Sequence, residues 1–270
     1  MKIKYENIIC NVEAEGNGIP IVFLHGFSEN MSTFRCLDCT GYKKIFIDLI
    51  GHGKTQSPKD MKYYDVKYLM KAINHIVKSI TDTKYILYGY SMGGRIALAY
   101  ALEYQDELSH LVLESSSYGI EDESMRKKRF DNDSRLAEDI RHNGIEWFES
   151  YWSNISIFET QKMLDEDARN AIKKIRLSNN IRGLSNSLIG FSQGRVNCLR
   201  SELYKLNIGV TYVSGELDEK YTSIGEEFTK IIKNINHVRV ESSGHNVHME
   251  KTQSINKLLN EIRLLNIEKY

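Results

Sequence analysis

Apolar and polar positions along the chain fall into two alternating rhythms. Short β-branched or aromatic runs bounded by turn residues occur at 19–24, 44–49, 84–88, 110–114, 209–214 and 237–241, and each predicts a buried strand. Between several of them, residues 65–80, 92–104, 224–233 and 251–265 carry helical patterns. Strands and helices alternating in this way build a parallel sheet covered on both faces. Residues 3–15 predict an additional antiparallel hairpin. The alternation stops after Glu114 and resumes near Asn207, and the stretch between reads as helices rich in Arg, Glu, Trp and Phe. The expected organisation is therefore a core of residues 1–118 and 205–270 with a helical cap, 119–204, inserted into it. Only two prolines, Pro20 and Pro58, punctuate the chain, so Gly and Asn make most of the turns.

Composition narrows the function classes. Of 270 residues 41% are apolar and 27% charged, enough for one sizeable core and against disorder. Lys plus Arg and Asp plus Glu both total 36, so no overall field draws the chain to nucleic acid or an anionic membrane, and any selectivity for charge must be local. No stretch approaches the roughly 20 apolar residues of a membrane span, and no long apolar run follows Lys2 and Lys4, so a cytoplasmic protein is expected. Cys36 and Cys39 have the spacing of a redox or half-zinc motif. A second pair, histidines at ligand spacing or a thioredoxin-like context would have to accompany them, and none does. Two reduced thiols, with neither metal nor cofactor, are expected.

The chemistry concentrates at strand ends. Gly89-Tyr90-Ser91-Met92-Gly93 follows one expected strand and opens an expected helix, the strand–turn–helix setting in which a Gly-x-Ser-x-Gly serine projects its hydroxyl above the sheet. The free N–H groups of that helix start suit an oxyanion or a carboxylate. His245 follows the last expected strand, where a base belongs, and Asp218 follows the strand before it, where an acid can hold the imidazole. Glu216 and Glu219 compete with Asp218 for that role, and Glu114 is a more distant candidate. His248 reads as a helix-start residue and His52 as part of a turn. In Leu24-His25-Gly26-Phe27, after the first core strand, the N–H of Phe27 is expected to join that of Met92 as an oxyanion donor.

The histidine-glycine turn, Asp48-Leu49-Ile50-Gly51-His52-Gly53, the serine elbow and the terminal histidine, in the order Ser, Asp, His, identify the chain as a member of the α/β-hydrolase superfamily. The resemblance implies an α/β fold with a mostly parallel central sheet flanked by helices. A serine at the elbow argues against the dehalogenases and epoxide hydrolases of that superfamily, which use aspartate there. Gly89-Tyr90-Ser91-Met92-Gly93-Gly94-Arg95 further resembles the elbow of the 2-succinyl-6-hydroxy-2,4-cyclohexadiene-1-carboxylate synthases of menaquinone biosynthesis. So do Arg126-Lys127-Lys128-Arg129 with Asp133, the tryptophans Trp147 and Trp152, Arg176 with Asn179-Asn180, and the block Gly244 to Glu250. Gly190-Phe191-Ser192-Gln193-Gly194-Arg195 replaces the small-residue and glutamine-proline stretch of that family.

This closer resemblance implies a lyase that eliminates pyruvate from a small polyanionic substrate, with Ser91 as the base activated by His245. Arg95, one helical turn past Ser91, is the residue suited to a two-point contact with a substrate carboxylate. Arg126 or Arg129, together with Arg176, would meet the other carboxylates, and Tyr90, Trp147 and Trp152 would pack on the substrate. A serine carboxylesterase or carbon–carbon hydrolase uses the same triad and remains open as an alternative. Cap cations discriminate between them, because an apolar ester would leave buried guanidinium groups unpaired. A non-catalytic scaffold is disfavoured by the presence of all three triad residues.

Overall fold

The computed structural model describes residues 1–267; the last three residues of the expected core segment, 268–270, lie outside the described residues. Eight strands form one sheet: β1 (Lys2–Tyr5), β2 (Ile8–Glu15), β3 (Ile19–Leu24), β4 (Tyr42–Ile47), β5 (Tyr85–Tyr90), β6 (Leu108–Glu114), β7 (Gly209–Gly215) and β8 (Ile235–Val240). Their order is β1-β2-β4-β3-β5-β6-β7-β8. The expected N-terminal hairpin is the antiparallel β1–β2 pair, and β2 runs antiparallel to β4. Every pairing from β4 to β8 is parallel.

Side-chain alternation divides these strands between two cores. On β5, Ile86, Tyr88 and Tyr90 enter one buried cluster while Tyr85 and Leu87 enter the other. The helices α1 (Val66–Lys78) and α2 (Met92–Tyr104) close one face through Leu69, Ile73, Ile96 and Leu98. α8 (Thr252–Ile267) closes the opposite face through Ile255, Leu259 and Ile262. Both faces being covered explains why the strands read as nearly continuous apolar runs. α6 (Glu219–Ile231) begins five residues before the expected 224, because Asp218 caps it by accepting from the Tyr221 N–H, and its first turn is too polar to register as periodic.

Three helices lie between β6 and β7: α3 (Glu123–Ser153), α4 (Glu166–Leu177) and α5 (Ile181–Gly190). α3 is broken at Gly144, whose φ of 89° and ψ of −178° interrupt the helix. Ala137, Ile140, Phe148, Leu184 and Leu188 form a separate small core there, against which Phe27, Trp147 and Trp152 pack. Phe191 and Leu203 instead join the cluster beneath the sheet, so the chain returns to the core side soon after α5. Among the described residues, no helix is long and apolar enough to cross a membrane.

Candidate active site

Ser91 sits between β5 and α2 with φ 50° and ψ −106°, the strained backbone of a sharp strand-to-helix turn. Its N–H is anchored to the carbonyl of Glu114 at 2.8 Å. Glycine at 93 is dictated by crowding, since a Cβ there would lie 2.1 Å from the carbonyl oxygen of Leu24. The expected close approach of chains at the elbow is thus between α2 and the end of β3, which brings Phe27 beside Met92. The N–H groups of Phe27 and Met92 take part in none of the turn and cap hydrogen bonds among the described residues, which leaves both available to an oxyanion.

Parallel register aligns the other two strand ends with this turn. Tyr90 lies beside Glu114, Glu114 beside Val213, and Gly215 beside Val240. Asp218 and His245, one short loop beyond β7 and β8, therefore converge on Ser91. A Cβ on Gly215 would meet the carbonyl of Gly244 at 2.1 Å, so the acid and histidine loops touch. His245 Nε2 lies 3.0 Å from Ser91 Oγ, and His245 Nδ1 lies 2.6 Å from Asp218 Oδ2. Both partners of the histidine–acid pair are buried. The Tyr221 ring packs on the imidazole at 4.5 Å between centroids and Tyr90 at 5.5 Å.

The rival acids lie elsewhere. Glu216 accepts from the Ser242 N–H, and Glu219 is exposed in the first turn of α6, which Asp218 caps. Glu114 holds the second histidine, accepting from His248 Nδ1 at 2.9 Å and from the Tyr88 hydroxyl at 2.6 Å. His248 lies in the short helix α7 (Val247–Glu250), fully buried. Burial opposes its protonation, but the Glu114 carboxylate outweighs that and raises its pKa. His52 is buried in its turn against His25 and Phe27.

One cavity of about 180 Å³ gathers Ser91, His245, Phe27, Tyr90, Met92, Arg95, Arg129 and Trp152. Arg95 is held by a 2.7 Å bond from Nη1 to the carbonyl of Phe191, which leaves its other N–H groups open. Burial, and then the neighbouring Arg129 charge, lower its pKa to about 10, so it remains a cation at neutral pH. Arg129 donates from Nε to both oxygens of buried Asp133, at 2.8 and 2.9 Å. Of Arg126 and Arg129, the two arginines left open by the sequence, Arg129 is the one in the cavity wall. Arg126 is outside that wall, one helical turn earlier, with its carbonyl against Gly194. Trp147 is also outside, stacked on Tyr151 at 5.3 Å. Arg176 is buried behind Phe158, donating to Ser153 Oγ and Gln161 Oε1.

The cavity contains residues that the sequence reading passed over, notably Phe158, Lys220 and Tyr221, together with Gln193 from the stretch that departs from the family. Lys220 and Tyr221 lie within three residues of Asp218, so proximity to the acid was an available signal; Phe158 offered none. Cys36 and Cys39 are free thiols. Burial raises both, Cys39 to about 12, so neither is a ready thiolate.

A family model described as alpha/beta hydrolase fold matches residues 19–252. A Bacillus subtilis (strain 168) protein, provisionally named 2-succinyl-6-hydroxy-2,4-cyclohexadiene-1-carboxylate synthase, is 36% identical over 243 residues, 89% of each chain. A protein of Enterobacter sp. (strain 638) with that name is 31% identical over 254 residues, 93% of this chain and 94% of its own. The structure of MenH from S. aureus superposes with a TM-score of 0.89 at 29% identity, covering 97% of this chain and 99% of its own. An esterase from Exiguobacterium antarcticum, at 24% identity and a TM-score of 0.79, shares the fold. Because the likeness covers about nine tenths of the chain or more, the chain belongs to the α/β-hydrolase fold family and, within it, to the 2-succinyl-6-hydroxy-2,4-cyclohexadiene-1-carboxylate synthases.

Proposed function

We propose that this chain is a carbon–oxygen lyase of menaquinone biosynthesis. It eliminates pyruvate from 2-succinyl-5-enolpyruvyl-6-hydroxy-3-cyclohexene-1-carboxylate to give 2-succinyl-6-hydroxy-2,4-cyclohexadiene-1-carboxylate. The observation that carries the reading is Arg95: a guanidinium one helical turn past Ser91, in the same cavity, suits a carboxylated substrate and would be left unpaired by an apolar ester. In this reading Arg129 meets a second carboxylate, and Lys220 adds a third cation to the wall. Arg126 and Trp147 support the cap helix, and residues 119–204 act as the cap over the core. A substrate with three carboxylates does not cross a bilayer unaided, which favours a cytoplasmic enzyme.

The steps follow from the triad. Ser91 Oγ removes the ring proton beside the succinyl ketone as its own proton passes to His245 Nε2 at 3.0 Å. Asp218, 2.6 Å from Nδ1, fixes the tautomer and stabilises the imidazolium. Charge developing on the ketone oxygen is received by the N–H groups of Phe27 and Met92, a contribution worth roughly 3–4 kcal/mol per donor where one has been removed. The electron pair moves through the ring double bond and breaks the carbon–oxygen bond to the enolpyruvyl group. That group takes the proton from His245 and leaves as enolpyruvate, which becomes pyruvate. No water is consumed and no acyl-enzyme forms. Measuring pyruvate release beside p-nitrophenyl acetate hydrolysis tests the reading. Rapid pyruvate formation with negligible ester turnover is expected; ester turnover without pyruvate would move the enzyme to the serine hydrolases.

A further inference from the structure

A second cavity, of about 340 Å³, lies between the end of α3, the 3-10 segment Ser156–Met163 and α4. Phe158 lines both cavities and separates them. Its ring lies 6.0 Å from the His245 ring, and the guanidinium of Arg176 lies 4.7 Å from its centroid. Arg169, Lys173 and Arg176, spaced by four and three residues, line this second cavity from one face of α4.

Three features mark it as built for an anion. Arg176 and Gln161 are both buried, yet Arg176 Nε and Gln161 Nε2 have no acceptor, a costly arrangement unless a ligand supplies one. Arg169 and Lys173 are exposed and form no ion pair among the described residues. The wall holds four cations, Lys162, Arg169, Lys173 and Arg176, against two acids, Glu149 and Glu166, so positive charge is in excess. Size points the same way. The catalytic cavity, at about 180 Å³, is smaller than the roughly 300–1,000 Å³ of small-molecule sites, and the two cavities joined across Phe158 would fall within that range.

We propose that the cavity on α4 is an outer carboxylate site, which captures an incoming polycarboxylate through Arg169 and Lys173, and that Phe158 is the partition displaced as the ligand passes on to Ser91. The open donors of Arg176 and Gln161, which already line this cavity, meet the ligand beside the Phe158 ring as it moves aside. The inference rests on the polyanionic substrate of the proposed reaction, but the site can be tested without turnover.

Succinate is the probe and Trp152, whose ring lies 6.0 Å from Phe158, is the reporter. With Trp147→Phe, Trp152 is the only tryptophan left. Titrating succinate into this variant should change Trp152 fluorescence saturably, and adding Arg169→Glu with Lys173→Glu should weaken binding about tenfold or more, as reversing paired charges does. Reversing Lys71 and Lys233, which line neither cavity, should leave the affinity unchanged. If the double reversal unfolds α4, Arg169→Gln with Lys173→Gln asks the same question with a smaller expected loss. The proposal is overturned if there is no saturable change, if sodium chloride at matched ionic strength reproduces it, or if the affinity is insensitive to Arg169 and Lys173 but lost in Arg95→Ala. Charge-dependent succinate binding without any pyruvate release would retain this site and sink the proposed reaction instead.

Discussion

Replacing Arg95 with alanine separates recognition of a carboxylated substrate from the operation of the triad. Among the described residues, Arg95 makes one side-chain hydrogen bond, from Nη1 to the carbonyl of Phe191, which leaves its remaining guanidinium N–H groups open to a ligand. A hydrogen bond to a charged group contributes about 1.5–3 kcal/mol, and a two-point contact to a carboxylate in this cavity should contribute about 3 kcal/mol. Removing it should lower kcat/KM for pyruvate release roughly 150-fold. The lost bond to Phe191 costs the fold only about 1 kcal/mol, or roughly 2–4 °C in Tm. Continuous detection of pyruvate gives the kinetics, and a thermal melt checks the fold. Arg95→Lys should recover part of the loss, because an ammonium supplies the charge without the two-point fork. A fall in kcat/KM below about fivefold in a well-folded Arg95→Ala enzyme would refute the carboxylate role; that threshold is about 1 kcal/mol.

Two further substitutions probe the frame of the site. Burial raises the pKa of Glu29, whose Oε2 has no partner, while Asn246 donates to Oε1 at 2.8 Å. Its folded pKa lies above the unfolded value of about 4.3, so the stability it contributes is present below that pH and is lost as pH rises through the folded pKa. Glu29→Gln, which does not ionise, should match wild type in thermal melts near pH 4 and gain on it between pH 5 and 8; parallel Tm curves would contradict the argument. In Gly93→Ala the new Cβ would lie 2.1 Å from the Leu24 carbonyl. The overpacking should cost about 3 kcal/mol, seen as a Tm drop of roughly 6 °C or more, with pyruvate release reduced at least about 100-fold. An unaltered rate would mean that the elbow does not set the position of Ser91.

The parts of the fold and site legible in the sequence are those set by local chemistry. Continuous apolar runs announced the parallel strands because both sheet faces are covered, and Gly89 and Gly93 announced the elbow because no larger residue fits there. Asp218 and His245 were readable because parallel register brings successive strand ends to one edge. The helices between β6 and β7 were harder to read. Whether Arg126 or Arg129 faces the cavity depends on the rotation of α3, which its weakly amphipathic sequence leaves open, and the break at Gly144 resets that rotation along the helix. Arg176 sits behind Phe158 for a tertiary reason, the docking of a 3-10 segment against α4, which carries no periodic signal.

The central claim is that Ser91, activated by His245, removes the proton that starts pyruvate elimination. Its most direct test is the rate of pyruvate formation from the enolpyruvyl substrate by wild type and Ser91→Ala, each shown to be folded. The account predicts a loss of about 10⁴-fold or more in the variant, comparable to removing a triad member elsewhere. Pyruvate release that survives within about tenfold of wild type, roughly 1.4 kcal/mol, would contradict it.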